Sequence, residues 1–176
     1  MRLIGITGAA RSGKDTAAEF LIPRGFERIA FADPIKQMTL AGLGIDPDDY
    51  DDESKEDEID WLGVSPRRVW QTLGNEWGRT FVGPDVWVKV AWRRMAEARQ
   101  ANPGLRGIVF TDVRFDNEAQ AIRNSGGKVI KIVRPDARAV APHVSERGLS
   151  ANLIDDVIVN DGTLAQLREA VLKEVL

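Results

Sequence analysis

Short apolar runs alternate along the chain with segments in which apolar residues recur at helical spacing. The runs predict strands at residues 3–7, 26–32, 107–112, 128–133 and 157–160. The helical spacing predicts helices at residues 14–22, 33–40, 65–79, 87–101, 117–123 and 163–175. Strands that alternate with helices form parallel sheets covered on both faces, so the pattern predicts an α/β fold with a parallel five-stranded sheet.

Residues suited to binding follow the predicted strands at their carboxyl ends. They are Gly8, Asp33, Asp112, Arg134 and Asn160. In a parallel sheet flanked by helices, ligands bind beyond the carboxyl ends of the strands. We therefore expect the functional site at this edge of the sheet.

The composition is that of one folded domain over residues 1–176, with 43% hydrophobic and 29% charged residues. The net charge of −3 gives no overall field that would recruit nucleic acid or an anionic membrane. Ten of the fifteen residues at 46–60 are acidic, and because calcium-loop spacing is missing, this segment is expected to be a solvated surface.

Some classes of site are excluded by residue type. The chain has no cysteine and a single histidine, His143, which excludes disulfides, thiolate chemistry and multi-histidine metal sites. The first apolar run is too short for a signal peptide, and no stretch approaches the roughly 20 apolar residues of a membrane span. We expect a cytoplasmic protein that binds neither membranes nor nucleic acid.

The string GAARSGKD at residues 8–15 has the G-x-x-x-x-G-K spacing of a phosphate-binding loop, and it lies between a strand and a helix. Gly8 and Gly13 allow the backbone N–H groups around Arg11 and Ser12 to converge on one centre. Lys14 adds a full charge for the β- and γ-phosphates. The loop predicts a nucleoside triphosphate site, with a glycine-rich turn that happens to precede a lysine as the structural alternative.

The residue after Lys14 departs from the usual pattern. Asp15 occupies the place of the serine or threonine whose hydroxyl binds Mg²⁺, and Thr16 follows it. A carboxylate is also a good ligand for Mg²⁺, directly or through water. Asp15 and Thr16 are therefore expected near the metal, with helix capping as the alternative role of Asp15.

A phosphate-binding loop alone does not name a reaction. The chain has no N-K-x-D string of the GTPase type, and it is too short for the helicase apparatus. A small phosphotransferase is therefore the leading class.

Several further strings accompany the loop: FADPIK (31–36), SPRRVWQTLGNEWGR (65–79), DVW (85–87), TDVRFDNEA (111–119), HVSE (143–146) and NDG (160–162). With GAARSGKDT, they resemble the deoxynucleoside monophosphate kinases of tailed bacteriophages and their prophage relatives over almost the whole chain. The resemblance implies a P-loop NTPase fold of the nucleoside monophosphate kinase type. Its implied parts are a core (1–45 and 105–176), a helical acceptor-binding insert (46–104) and a lid (134–151).

The resemblance also implies the reaction. ATP with Mg²⁺ would give its γ-phosphoryl group to a deoxynucleoside 5′-monophosphate, in the host cytoplasm if the protein is phage-encoded. A homodimer and the identity of the accepted bases are left open.

Two arginines are candidates to grip the acceptor phosphate. Arg68 and Arg79 lie eleven residues apart on one predicted helix and should face the same way, because eleven residues make about three α-helical turns. A forked guanidinium can bind a phosphate through two hydrogen bonds. A solvated helix face is the alternative for both.

The resemblance places Lys36 in the acceptor region, with an ordinary surface lysine as the alternative. Asp33, Gln71 and Trp87 are further candidates to bind the acceptor. Trp87 would stack on the acceptor base, with core packing as its alternative.

Catalytic roles are expected for Lys14, Arg79, Asp112 and Arg114. Asp112 would hold Mg²⁺ through water or orient the acceptor, and both Asp112 and Arg114 would also contact the substrate, with a salt-bridged strand end as the alternative for this pair. Arg138 and Arg147 would close over the ATP phosphates, with ordinary surface residues as the alternative. His143 is not expected to act as a base. Asp116 stands where the family commonly has proline, which is expected to affect the turn more than the chemistry.

Two rival functions remain. Another small P-loop kinase, of the dephospho-coenzyme A or shikimate kinase type, would share the loop and differ in its acceptor pocket. A non-catalytic ATP-binding regulatory protein would bind ATP without acceptor-dependent ADP formation.

Overall fold

The computed structural model describes residues 1–51, 53–135 and 148–176. The chain divides into two compact units. The first unit contains Met1–Ala30 and Trp92–Leu176, and the second contains Phe31–Ala91. The second unit overlaps the predicted insert at 46–104 but begins earlier, at Phe31, and ends earlier, at Ala91.

The first unit is built on a parallel sheet. Its strands are β1 (Arg2–Thr7), β2 (Phe26–Ile29), β3 (Gly107–Phe110), β4 (Lys128–Val133) and β5 (Asp156–Val159). Their order is β2-β3-β1-β4-β5, and every pairing is parallel. The predicted five-stranded parallel sheet is confirmed, with β1 at its centre.

Helices cover both faces of this sheet. On one face, the side chains of α1 (Lys14–Glu19) and α6 (Leu164–Val175) share a buried cluster with those of the strands. The members of this cluster include Ile4, Ile6, Val109, Ile130, Ile132, Ala17, Ala18, Leu167 and Val171. On the opposite face, Trp92 of α4 (Val86–Ala101) stacks on Phe110 with ring centroids 5.4 Å apart. Val109 and Phe110 are consecutive residues of β3, so they point to opposite faces as strand geometry requires.

Helix α5 (Asp116–Asn124) packs on the sheet beside Gly5 of β1. A Cβ atom on Gly5 would lie 2.8 Å from Ile122 Cδ1, which is closer than real Cβ contacts allow. The glycine in the middle of β1 therefore gives room for the Ile122 side chain of α5, which a larger residue would push aside.

The second unit contains α2 (Asp33–Leu43), α3 (Pro66–Gln71) and a π-helix (Thr72–Val82). The Trp70 indole N–H donates to Thr39 Oγ1 at 2.9 Å, which ties α3 to α2. Because α2 packs on α3 through this contact, α2 belongs to the second unit, which therefore begins before residue 46. Asp33 was predicted to cap α2 but lies in its first turn, with Ala32 at the N-cap. Ser65 caps α3 as predicted, since its Oγ accepts from the Arg68 N–H at 3.3 Å.

The helix predicted at residues 65–79 changes type at Thr72. A π-helix bonds residue i to i+5 and so has more residues per turn than an α-helix. The argument that eleven residues bring Arg68 and Arg79 to one face assumed α-helical geometry throughout, and it is wrong for this chain. Glycine at 74 and 78 accompanies the change, because both positions face bulky side chains: a Cβ on Gly78 would lie 2.5 Å from Trp87 Cζ2.

The acidic segment forms short turns at the surface. Asp51 Oδ1 accepts from the N–H groups of Glu53 and Ser54, both at 2.8 Å. Glu56 pairs with Arg67 at 2.9 Å. In the part of the chain that the structure describes, no group of three or more acidic or histidine side chains could hold a metal ion.

No helix among the described residues is both long enough and apolar enough to cross a membrane.

Candidate active site

The loop between β1 and α1 has the backbone conformation that its glycines predict. Gly8 has φ +145° and Gly13 has φ +100°, both in the region that disfavours other residues. A Cβ on Gly8 would lie 2.3 Å from the Ile132 carbonyl oxygen, so no larger residue fits. Arg11 also has a positive φ, +61°, and is the only described residue other than glycine to do so. The loop is therefore a sharply turned segment fixed against β4.

Lys14 begins α1 and folds back over the loop. Its Nζ donates to the Ala9 carbonyl oxygen at 2.6 Å. The Ser12 N–H donates to the same carbonyl oxygen at 3.3 Å, so the contact holds the ammonium group against the loop backbone. Asp15 is exposed in the first turn of α1, and Thr16 is half-buried beside it.

Asn160 ties the loop to the end of β5. Its Nδ2 donates to the Ser12 carbonyl oxygen at 2.9 Å, and its own N–H donates to the Val133 carbonyl oxygen at 2.7 Å. A Cβ on Gly13 would lie 2.6 Å from the same Nδ2, so a side chain at position 13 would displace the Asn160 amide. Sequence reasoning placed Asn160 at a strand end but gave it no role, because its partner lies 148 residues away.

Replacing Asn160 with aspartate should weaken ATP binding about tenfold or more. The ionised carboxylate cannot donate to Ser12 and adds negative charge beside the loop, and a lost buried hydrogen bond costs about 1–3 kcal/mol. Titration calorimetry of ATP with wild type and Asn160→Asp measures the effect. Asn124→Asp, at the exposed end of α5, is the matched control. Equal ATP affinity in all three proteins would exclude this role of Asn160.

Asp112 and Arg114 follow β3 in a segment that is held in place from two sides. The Val113 N–H donates to the Ile6 carbonyl oxygen at 3.1 Å, which fixes the segment beside β1. Glu118, only 3% exposed, accepts from the N–H groups of Arg114 and Phe115 at 2.9 and 3.1 Å. Asp112 and Arg114 are both half-buried. The sequence did not single out Glu118, although glutamate three residues after a helix start is a signal for this kind of contact.

Asp116, at the start of α5, binds Ser150. Its carboxylate accepts from the Ser150 hydroxyl at 2.5 Å and from the Ser150 N–H at 2.9 Å. The Ser150 hydroxyl, and then its N–H, lower the pKa of the Asp116 carboxyl below its ordinary value. These contacts join the start of α5 to Ser150, and the expected effect of Asp116 on the turn stays a prediction.

The remaining predicted acceptor residues belong to the second unit. Lys36 Nζ lies 5.3 Å from the centre of the Trp70 ring, a cation–π contact that orients the lysine. Asp33, Gln71 and Arg79 are half-buried, and Arg68 is exposed.

A groove of about 550 Å³ lies within the second unit. Its walls are mainly apolar, and Arg68 is the charged residue that lines it. The lining residues are Met38, Thr39, Leu43, Val64, Arg68, Val69, Thr72, Leu73 and Trp77. Trp77 is 42% exposed, so part of its indole surface is open to a ligand. Arg79 is not among the described residues that line this groove.

The position of Trp87 differs from the expected stacking role. Its side chain is 4% exposed, it packs on Gly78, and its indole N–H donates to the Gly74 carbonyl oxygen at 2.7 Å. A base cannot stack on a ring that the protein already covers. The burial favours the core-packing alternative for Trp87, and Trp77 is the better candidate for stacking.

The predicted lid residues Arg138, His143 and Arg147 lie outside the described residues.

Comparison with known sequences gives a consistent result. The sequence profile of the family "Deoxynucleotide monophosphate kinase" matches residues 52–171. A protein of Acanthamoeba polyphaga mimivirus, provisionally named a deoxynucleotide monophosphate kinase, is 34% identical over 98% of this chain and 95% of its own length. The deoxynucleotide monophosphate kinase of Enterobacteria phage T4 is 26% identical over 95% of both chains.

The fold has a counterpart among solved structures. TT1252 from Thermus thermophilus superposes with a TM-score of 0.55 at 17% identity, covering 99% of this chain and 98% of that one. At this level of identity the likeness concerns the fold alone.

Proposed function

The chain belongs to the deoxynucleotide monophosphate kinase family, and from this membership we propose that it transfers the γ-phosphoryl group of ATP to a deoxynucleoside 5′-monophosphate, giving ADP and the diphosphate. It is a kinase that acts on deoxynucleoside monophosphates. We propose ATP as the phosphoryl donor, Mg²⁺ as the cofactor, and the individual site residues named below.

The observation that carries the donor assignment is the geometry of the loop at residues 8–15. Two glycines with positive φ turn the backbone sharply, and Lys14 folds over it to contact Ala9. A sharply turned glycine loop at a helix start, with an ammonium group held over it, would suit the charged oxygens of a triphosphate. In this proposal Gly8, Arg11, Ser12, Gly13 and Lys14 bind the ATP phosphates.

The described residues fit Mg²⁺ that is held mainly by the nucleotide. Mg²⁺ usually keeps several waters and takes one or two carboxylates together with substrate phosphates. Asp112 at the end of β3, with Asp15 and Thr16 in α1, would supply the protein oxygens, and no larger acidic cluster is needed. The bound ion would neutralise charge that develops on the transferring group.

Phosphoryl transfer depends on positioning and charge more than on proton removal. Lys14 would stabilise the phosphoryl oxygens, and Arg114 and Arg79 would add guanidinium groups to the transferring or accepting phosphate. Glu118 holds the backbone of Arg114 in place, so it acts as a positioning residue.

We assign the acceptor nucleoside to the groove of the second unit. Trp77 offers an open indole face on which a base can stack regardless of its identity. Arg68 would bind the acceptor phosphate, with Lys36 as a further cation. Asp33 and Gln71 remain candidates for polar contacts to the acceptor.

The reaction is tested by a coupled ADP-release assay against all common ribo- and deoxyribonucleoside monophosphates. The proposal requires ADP formation that depends on a deoxynucleoside monophosphate. ATP binding without acceptor-dependent ADP formation would favour the regulatory protein, and activity on dephospho-coenzyme A or shikimate alone would favour the rival kinases.

Arg68→Ala should raise the KM for the monophosphate about tenfold or more and leave the KM for ATP nearly unchanged. A hydrogen bond to a charged group contributes about 1.5–3 kcal/mol, and Arg68 lines the groove of the second unit. Steady-state kinetics with either substrate varied separates the two constants.

Its neighbour provides a matched control. Arg67 pairs with Glu56 and does not line the groove. Arg67→Ala should keep both KM values. If the two variants raised the monophosphate KM equally, the groove would not be the acceptor site.

A further inference from the structure

Two buried side-chain hydroxyls have no hydrogen-bond partner among the described residues, Ser12 Oγ and Thr111 Oγ1. Ser12 is fully buried and Thr111 is 1% exposed. A buried hydroxyl without a partner is costly, and in native proteins such groups are uncommon. Both lie in the first unit, next to the phosphate-binding loop or inside it.

Thr111 lies beside the end of β1, where the loop begins. Its N–H donates to the Ile29 carbonyl oxygen at 3.2 Å, and the Val113 N–H donates to the Ile6 carbonyl oxygen at 3.1 Å. Thr111 is therefore held between the ends of β2 and β1. The contact on β1 is at Ile6, two residues before Gly8. The next residue in the chain is Asp112.

The face on which Thr111 lies follows from the strand before it. Phe110 stacks on Trp92 on one face of the sheet, while Val109 packs with Ala17 and Ala18 of α1 on the other. Strand β3 ends at Phe110, but the Thr111 N–H extends its pairing with β2 by donating to Ile29, so the alternation of side chains puts Thr111 with Val109 on the α1 face. This is the face on which α1 leads away from the loop.

Packing does not explain the hydroxyl. Valine has the same shape as threonine and would fill this site without burying an unpaired polar group. The second unpaired hydroxyl, Ser12 Oγ, lies within the loop itself, since a Cβ on Gly8 would be 2.8 Å from it. Ser12 Oγ thus lies where the nucleotide is assigned, and Thr111 lies beside the end of the strand that leads into the loop. A nucleotide in the loop would bring oxygen atoms of the right chemistry to this region.

We propose that Thr111 is a nucleotide-binding residue, whose Oγ1 hydrogen-bonds an oxygen atom of the bound ATP–Mg²⁺ complex. The inference rests on the proposed function, because it needs ATP in the loop. The oxygen belongs either to a phosphate or to a water molecule on the metal. Thr111 and Asp112, which are consecutive in the chain, would then both contact the bound ATP–Mg²⁺ complex.

The test compares the ATP affinity of wild type, Thr111→Val and Thr111→Ser by titration calorimetry without acceptor. Each protein is titrated with ATP in excess Mg²⁺ and with ATP in EDTA. Thr111→Val should lose about tenfold or more in affinity, as expected for a hydrogen bond to a charged partner. Thr111→Ser keeps the hydroxyl and should bind close to wild type.

The two titrations identify the oxygen. A loss with and without Mg²⁺ indicates a phosphate oxygen, whereas a loss only with Mg²⁺ indicates a metal-bound water. Wild-type affinity of Thr111→Val in both conditions would overturn the proposal, as would an equal loss in Thr111→Ser. If Thr111→Val does not fold, Thr111→Cys replaces it, because a thiol is a much weaker hydrogen-bond donor than the hydroxyl of Thr111→Ser.

Thermal melting of the unliganded variants gives a second readout. Thr111→Val should melt at the wild-type temperature or above it, because it removes an unpaired buried hydroxyl. A lower melting temperature with unchanged ATP affinity would give the hydroxyl a structural role and exclude the proposed one. Failure of wild type to bind ATP would instead refute the donor assignment, so the two failures are distinct.

Discussion

Lys14→Ala should reduce turnover about 10³-fold or more while the protein stays folded. Lys14 supplies the full positive charge of the phosphate-binding loop, and its contact with Ala9 holds that charge in a fixed position. Fixed charges aimed at a developing anion account for a large part of catalysis in phosphoryl transfer. The coupled ADP-release assay measures turnover, and circular dichroism melting checks the fold.

Lys173→Ala is the control for this experiment. Lys173 is an exposed residue of α6 and carries the same charge. Its loss should leave turnover unchanged. Near-normal turnover in a folded Lys14→Ala protein would remove the assignment of the loop to ATP.

Asp112→Asn should reduce kcat about 10²-fold or more, with ATP binding in EDTA retained. The substitution keeps the shape of the side chain and removes the charge that would orient hydrated Mg²⁺ or the acceptor. Because Glu118 and Val113 hold the surrounding backbone, the segment should keep its conformation. Kinetics at several Mg²⁺ concentrations, combined with calorimetry, separate turnover from binding.

The alternative for Asp112 is a structural role at the strand end. In that case Asp112→Asn should lower the melting temperature and spare kcat. Asp161→Asn is the matched control, since Asp161 also follows a strand and is exposed. Equal kcat for wild type, Asp112→Asn and Asp161→Asn would contradict the catalytic assignment.

The sheet and the loop could be predicted because their signals are local. β1, β3 and β4 are nearly continuous apolar runs, as strands covered on both faces require, and the spacing from Gly8 to Lys14 is a property of one short string. Predicting these strands and this loop required only the residues within each segment.

The π-helix and the burial of Trp87 could not be predicted in the same way. Residues 65–79 have ordinary helical spacing, and nothing in that spacing signals the π-helix from Thr72 or the packing of Gly78 against Trp87. Whether a tryptophan is buried in the core or exposed to a ligand depends on contacts with residues elsewhere in the chain, as between Trp87 and Gly78. The same holds for Asn160, whose partner Ser12 is distant in the chain.

The order of the strands also constrains when the protein can fold during synthesis. β1 is made first and lies at the centre of the sheet, but its partners are Gly107–Phe110 on one side and Lys128–Lys131 on the other. Until the ribosome has produced β3, neither the apolar run of β1 nor the edge strand β2 has a strand to pair with, and the second partner of β1 follows only with β4. Long-range parallel pairing of this kind is slow and leaves apolar segments exposed. The sheet can therefore close only late in synthesis, whereas a protein built from local hairpins can pair its strands as they emerge.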